Sequence, residues 1–344
     1  MAAAVTGRHH TVFVTSRAPV HQSMALAAAP VQLDVVMLQD PDRDELLTSV
    51  ESAEFLISER AGRIDAEVIA AARPLRLIQR LGSRCYDIDL EAARRRGVPV
   101  CRWPLPGPAM VAEHVILQIL ALTRRLRATG QILHDGVDYG PPQESTANTF
   151  AINWSHQTDL VGLMGSTIGI VGLGEIGTEL AVRLRAFETD TLYFNPHRLS
   201  SEAEQDLQIR YASLPDLLAA SHIVCMLVPT TPETVGMTDA GFLARMRPGS
   251  FLVNSGASTT LDEEAVASAY RSGRLAGVAT DGYRWEPARP DNPLLALALD
   301  ASANVVLTPH TALANVVNSV DLRATEYTNL VNLLEGRPLL HRVV

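Results

Sequence analysis

The run Thr167-Ile168-Gly169-Ile170-Val171 leads directly into Gly172-Leu173-Gly174-Glu175-Ile176-Gly177, and Thr178–Phe187 follows with a helical pattern. Three glycines at this spacing are weak evidence alone. Set between a buried strand and a helix, they meet a specific physical requirement. Gly172 permits a tight turn, Gly174 lets a pyrophosphate approach the backbone, and Gly177 lets the helix pack close to its strand. The unpaired N–H groups of the first helical turn then face the phosphates. A glycine-rich turn without a ligand is the bland alternative, and the strand–helix context argues against it.

The rest of the chain repeats this rhythm. Val12–Thr15, Val35–Leu38, Phe55–Ile57 and Leu75–Ile78 read as short buried strands, with a helical segment at Asp65–Ala72. Further strands are expected at Thr191–Phe194, Ile223–Leu227, Phe251–Asn254, Gly277–Thr280 and Val305–Thr308, and a helical pattern over Ala312–Leu334. Such alternation predicts the α/β class with parallel sheets. Pro99–Pro108 carries Pro104, Pro106 and Pro108 and predicts no regular element. Val111–Arg125 predicts a long helix leaving one domain for another, and Gly130–Asp159 an extended arm or loop.

The chain has 344 residues, enough for two domains of ordinary size, and 47% of them are hydrophobic. A formal net charge of −9 argues against nucleic acid as a partner. Arg94-Arg95-Arg96 before Gly97 reads as a helix C-terminus with its cap. Cys85, Cys101 and Cys225 lack CxxC spacing and sit near apolar runs, so reduced structural thiols and no metal are expected. No run of about 18 apolar residues predicts a membrane span. Met1–His10 reads as a short disordered lead without an apolar signal core, and the expected location is cytoplasmic.

Dinucleotide sites of this kind usually place Asp or Glu about 20 residues on, at the end of the second strand, to bond the adenine ribose. Here that strand ends in Asn195, followed by Pro196, His197 and Arg198. A carboxylate would repel a 2′-phosphate; Asn does not, and Arg198 offers a guanidinium for it. NADP is therefore expected over NAD. Ordinary solvent-facing loop residues are the alternative for His197 and Arg198. Glu175 stands near the pyrophosphate and would weaken its binding unless turned to solvent.

Four further motifs carry a resemblance: Val111-Ala112-Glu113-His114, Val228-Pro229-Thr230-Thr231-Pro232-Glu233-Thr234, Met246-Arg247-Pro248-Gly249 and Leu307-Thr308-Pro309-His310. With the glycine motif, they make the chain resemble the D-isomer-specific 2-hydroxyacid dehydrogenases over nearly its whole length. The resemblance implies two Rossmann-like domains with a cleft between them: a flavodoxin-like substrate domain, 1–105 plus 312–344, and an NAD(P)-binding domain, 106–311. It also implies a homodimer, a small carbonyl or 2-hydroxy acid substrate, and hydride transfer to a carbonyl. By the same resemblance His310 is the acid/base and Glu286 its partner. A carboxylate beside an imidazole orients the ring and favours its charged form, which suits protonation of a carbonyl oxygen as hydride arrives. Val111, Gly172, Gly174, Glu175, Ile176, Gly177, Asn195, Pro196, His197, Arg198, Val228, Pro229, Ser255, Gly256, Asp281 and His310 become the cofactor residues.

The resemblance breaks at one place. Family members carry an Arg after Asn-[Thr/Ser]-[Ala/Gly], where it clamps the substrate carboxylate; this chain reads Asn254-Ser255-Gly256-Ala257. Loss of such a clamp removes a bidentate, charge-assisted contact. Gly82, Ser83 and Arg84 occupy the family's substrate loop, and Arg284 lies two residues before Glu286. Three readings follow. Arg84 replaces the lost cation, the substrate lacks a carboxylate, or the chain is a silenced dinucleotide-binding scaffold.

Overall fold

A computed structural model describes residues 7–59, 62–150, 152–313 and 319–344. Its contacts divide into two units, Met1–Pro106 with Asn315–Val344, and Gly107–Ala314.

In the first unit five parallel strands, β1 (His9–Thr15), β2 (Leu33–Gln39), β3 (Phe55–Glu59), β4 (Leu77–Leu81) and β5 (Val100–Trp103), lie in the order β2-β1-β3-β4-β5. That order is the flavodoxin-like one. Alternate residues face two buried layers. Val12, Val14, Leu56, Ile78 and Val100 meet Leu46, Val68 and Ala93 of the helices on one side. Phe13, Phe55, Ile57 and Leu77 meet Ala25, Tyr327 and Leu330 on the other. Burial on both faces explains why these strands read as continuous apolar runs. Each fully buried Leu, Ile or Phe contributes roughly 1.5–3 kcal/mol. Asp42, Asp65 and Asp89 cap their helices by accepting backbone N–H bonds, and Gly97 ends Leu90–Arg96 in a left-handed conformation.

The second unit holds seven parallel strands, β6 (Thr167–Val171), β7 (Asp190–Phe194), β8 (Arg210–Tyr211), β9 (Ile223–Met226), β10 (Ser250–Asn254), β11 (Leu275–Thr280) and β12 (Val305–Leu307). Their order, β12-β11-β10-β9-β6-β7-β8, reverses direction between β6 and β9. Ligands of doubly wound sheets bind outside the strand C-termini at such a reversal. The helix Pro106–Thr123 lays Val111, Ala112, Val115, Ile119 and Leu122 into the core with Leu180 and Leu184. It is long and apolar enough to cross a membrane by length and composition, but 56% of it is buried inside the protein.

Several expectations need correction. Pro99–Pro108 is not irregular: it contains β5 and the start of the long helix. Pro106 and Pro108 lie in the first helical turn, where their missing N–H groups have no partner to lose. The second-unit helix begins at Glu175 and ends at Leu184, with Arg185–Phe187 as a 3-10 turn. His9 and His10 belong to β1 instead of a disordered lead; their rings bond Glu54 and Ser52 at 2.9 Å. The arm from Gly130 opens inside a short helix, Leu126–Ile132. The C-terminal helical stretch breaks into Val320–Ala324, a 3-10 turn and Thr328–Leu334, and its residues 314–318 lie outside the described residues.

Candidate active site

The glycine loop follows β6 directly. Gly172 has φ +97°, and a Cβ there would lie 2.8 Å from the carbonyl of Leu227 at the end of β9. A Cβ on Gly177 would lie 2.6 Å from the Gly172 carbonyl oxygen. Both glycines are therefore required by the close approach of loop, helix and neighbouring strand. Gly174 differs: its φ is −82°, and nothing lies within 4 Å of a Cβ placed on it. The open space lies at the N-cap of Glu175–Leu184, where a phosphate would meet unpaired N–H groups. The cradle fits a pyrophosphate.

Asn195 closes the other side of the loop. Its Oδ1 accepts the Leu173 N–H at 2.8 Å, and the Gly172 N–H donates to the Phe194 carbonyl at 3.0 Å. Pro196 and His197 are exposed. Arg198 is not simply a solvent-facing cation. Its Nε and Nη2 both donate to the buried Glu204 at 2.8 Å, and its guanidinium sits 5.5 Å from the Tyr211 ring centre. Tyr193 donates to the same carboxylate at 2.8 Å. The Arg198 hydrogen bonds, opposed by burial, leave Glu204 below the usual carboxylate range.

A cavity of about 300 Å³ opens at the C-terminal ends of β9 to β12. Its lining is Thr230 after β9; Ser255, Gly256, Ala257 and Ser258 after β10; Asp281 and Gly282 after β11; and His310 after β12. His310 takes a left-handed backbone, φ +54°, which costs a non-glycine residue about 1–2 kcal/mol. Its Nδ1 lies 2.7 Å from Glu286 Oε2, and Glu286 Oε1 accepts the Tyr283 N–H at 3.0 Å. Burial works to raise the Glu286 carboxyl, but the His310 and Tyr283 hydrogen bonds outweigh it and hold it below the usual range.

Asp281 is 3% exposed and anchors the turn that carries His310. It accepts from the Thr308 hydroxyl at 2.6 Å and from the N–H groups of Thr311 and Ala312 at 2.9 Å. His114 Nε2 reaches Thr308 Oγ1 at 3.0 Å and Asp281 Oδ1 at 3.5 Å. Since the Thr308 proton goes to Asp281, the His114 bond is a donated one. The sequence marked Asp281 but gave no sign of this anchoring, because these donors come from the stretch after β12, which only the fold brings to Asp281.

Not every marked residue joins the cavity. Val111 is 4% exposed and packs in the core. Ile176 and Val228 pack against cores, and Pro229 accepts from Thr234 at 2.6 Å. Arg284 is exposed, outside the lining, with its N–H on Glu263. Glu175 is half-buried in the first helical turn. Gly82, Ser83 and Arg84 follow β4 in the first unit, where Gly82 has φ +143° and the Ser83 carbonyl accepts from Arg102 at 2.8 Å. Ser83 and Arg84 are half-buried. Thr230, Ser258 and Gly282 line the cavity without having been singled out. Their nearness to motif residues was the available signal.

A doubly wound parallel sheet with a glycine cradle at its reversal, and an imidazole–carboxylate pair along the same edge, defines a nucleotide-binding α/β protein. The particular family follows from comparison. Residues 117–312 match the NAD-binding domain of the D-isomer specific 2-hydroxyacid dehydrogenases. A glyoxylate reductase of Thermofilum pendens is 31% identical over 86% of this chain and 83% of its own length. A D-3-phosphoglycerate dehydrogenase of Archaeoglobus fulgidus is 31% identical over 90% of the chain, which spans only 55% of that relative. A solved Thermus thermophilus protein is 30% identical, with TM-score 0.51, covering 97% of this chain and 100% of the other. The chain belongs to the D-isomer-specific 2-hydroxyacid dehydrogenase family.

Proposed function

We propose that the chain is an NAD(P)H-dependent oxidoreductase that reduces the carbonyl of a 2-oxo acid or a related small carbonyl compound. One observation carries the reading: the 2.7 Å contact between His310 Nδ1 and Glu286 Oε2 at the wall of a cavity on the dinucleotide-binding edge. A reduced nicotinamide, when bound, supplies the hydride. With Nδ1 committed to Glu286, the imidazole presents Nε2 as its second proton-bearing position, and that proton goes to the carbonyl oxygen as negative charge grows there. Glu286 keeps the ring oriented and balances its charge. In the reverse direction the same nitrogen takes the alcohol proton.

His310→Asn tests this. Asn tolerates the left-handed backbone, so the thermal midpoint should move little while kcat falls by about 100-fold or more. Unchanged turnover would remove His310 from the mechanism.

NADP(H) is the proposed cofactor of choice. Asn195 puts no carboxylate where a 2′-phosphate would sit, and Glu204 holds one edge of Arg198, leaving guanidinium donors on the other. Arg198→Ala should raise KM for NADPH about tenfold and leave that for NADH unchanged. A homodimer is supported by the arm between the two helical regions and β6, which exposes Phe150, Ile152, Trp154 and Met164. Apolar groups as open as Ile152 at 80% and Met164 at 77% favour cover by a second copy. Sedimentation equilibrium reading the mass of one chain would overturn that. Cys85, Cys101 and Cys225, buried and joined by no disulfide among the described residues, support a cytoplasmic location.

A further inference from the structure

We infer that the substrate is an uncharged, hydroxyl-bearing carbonyl compound, a small hydroxyaldehyde or hydroxyketone, and not a 2-oxo acid. The inference rests on the reductase reading and narrows it. Its basis is the charge and polarity of the cavity beside His310.

Three hydroxyl side chains, Thr230, Ser255 and Ser258, share the lining with Asp281, Ala257 and His310. Among the described lining residues there is no Lys or Arg. The two imidazoles nearby do not change the sign. His310, when protonated, stands against Glu286 at 2.7 Å, and His114, when protonated, stands 3.5 Å from Asp281. Each possible cation is matched by a carboxylate. In every protonation state that keeps both carboxylates ionised, the lining is neutral or negative. A substrate carboxylate leaving water for this lining would lose hydration without gaining a counter-ion.

Hydroxyl groups behave differently. Each serves as donor and acceptor by rotating. Thr230 shares a 2.8 Å bond with Thr259, and the Ser255 hydroxyl donates to Gln118 at 2.9 Å, so both keep acceptor capacity for a substrate hydroxyl. A polyhydroxylated carbonyl compound finds matching groups here without importing charge. The balance is that of an ordinary reduction. The carbonyl carbon gains a hydride, its oxygen gains the His310 proton, and the reduced nicotinamide nucleotide is oxidised.

The test uses pairs that differ only by carboxylate against hydroxymethyl: glyoxylate with glycolaldehyde, and hydroxypyruvate with dihydroxyacetone. With the full chain and saturating NADPH, the neutral member of each pair should show kcat/KM at least about tenfold higher. Ala257→Arg adds a cation to the lining. It should shift each ratio toward the carboxylate by about tenfold or more, with an unchanged thermal midpoint. Preference of the unaltered protein for the carboxylate members overturns the inference and leaves the reductase reading standing. No turnover of all four, with NADPH binding seen by fluorescence titration, overturns the reductase reading itself.

Discussion

Asn195 Oδ1 accepts the Leu173 N–H at 2.8 Å, tying the glycine loop to the end of β7. The residue proposed to set the charge beside the adenine ribose thus also shapes the glycine turn. Asn195→Asp separates the two roles, because a carboxylate accepts the same N–H while adding a negative charge. The loop should stay in place. KM for NADPH should rise by about tenfold or more while that for NADH stays level or falls, since the charge repels only the 2′-phosphate. Equal change in both constants would mean that the substitution had disturbed the loop.

Gly172 and Gly174 look alike in sequence and should respond oppositely to Ala. At Gly172 the left-handed φ and the 2.8 Å approach to Leu227 make a side chain a structural insult. Gly172→Ala should destabilise by about 2–4 kcal/mol, read as a lowered thermal midpoint without ligand. At Gly174 a methyl group meets nothing within 4 Å. Gly174→Ala should leave that midpoint unchanged and weaken NADPH binding in a fluorescence titration. A normal affinity in this variant would show that the open space is not the phosphate cradle.

The glycine pattern and the strand series were legible because both depend on local rules: a turn that excludes side chains, and strands buried on two faces. What escaped the sequence depended on distance or position. Arg210-Tyr211 is a two-residue edge strand with one exposed and one half-buried residue, so no apolar run announced it. Pro106 looked like a breaker because only its place in the first turn makes it harmless. Arg198 read as an open cation until the fold brought Glu204 across to it from the next helix. The His310–Glu286 pair was legible through motif resemblance, yet the three loop donors that fix Asp281 beneath it were not.

In the proposed mechanism, Glu286 sets an acid limit on turnover. Burial pushes its carboxyl up, but the bonds from His310 and Tyr283 prevail, so it stays ionised to below the ordinary value of 4.5. A depressed folded value means that its contribution to stability is complete above about 4.5 and is lost as pH falls further. No loss of turnover from Glu286 protonation is therefore expected between pH 5 and 8. Glu286→Gln keeps an acceptor for the Tyr283 N–H but removes the charge facing the imidazole. Its kcat should fall by about 10–100-fold with little change in KM. An acid limb above pH 5 that vanishes in this variant would contradict the assignment.

The first unit holds a second carboxylate with the opposite bias. Arg323, 4% exposed, donates to Glu59 at 3.0 and 3.3 Å and lies 3.0 Å from Glu326. Glu59 also pairs with Arg17 at 2.9 Å and accepts the Thr15 hydroxyl at 3.0 Å. Burial would raise Glu59, but these partners hold it below the usual range. Glu326 shares Arg323, and its Oε2 is buried without a partner among the described residues. Burial, reinforced by Glu59 and opposed by Arg323 and Arg17, pushes Glu326 up to about 8. A carboxyl raised in the folded state contributes fully below its unfolded value near 4.5, and that contribution is lost as pH rises toward 8. The loss is at most about 1.4 kcal/mol per pH unit. Glu326→Gln keeps the shape and cannot ionise. Relative to this variant, the unaltered protein should lose several degrees of thermal midpoint between pH 5 and 8.5. Parallel midpoints across that range would mean that Glu326 is ionised throughout.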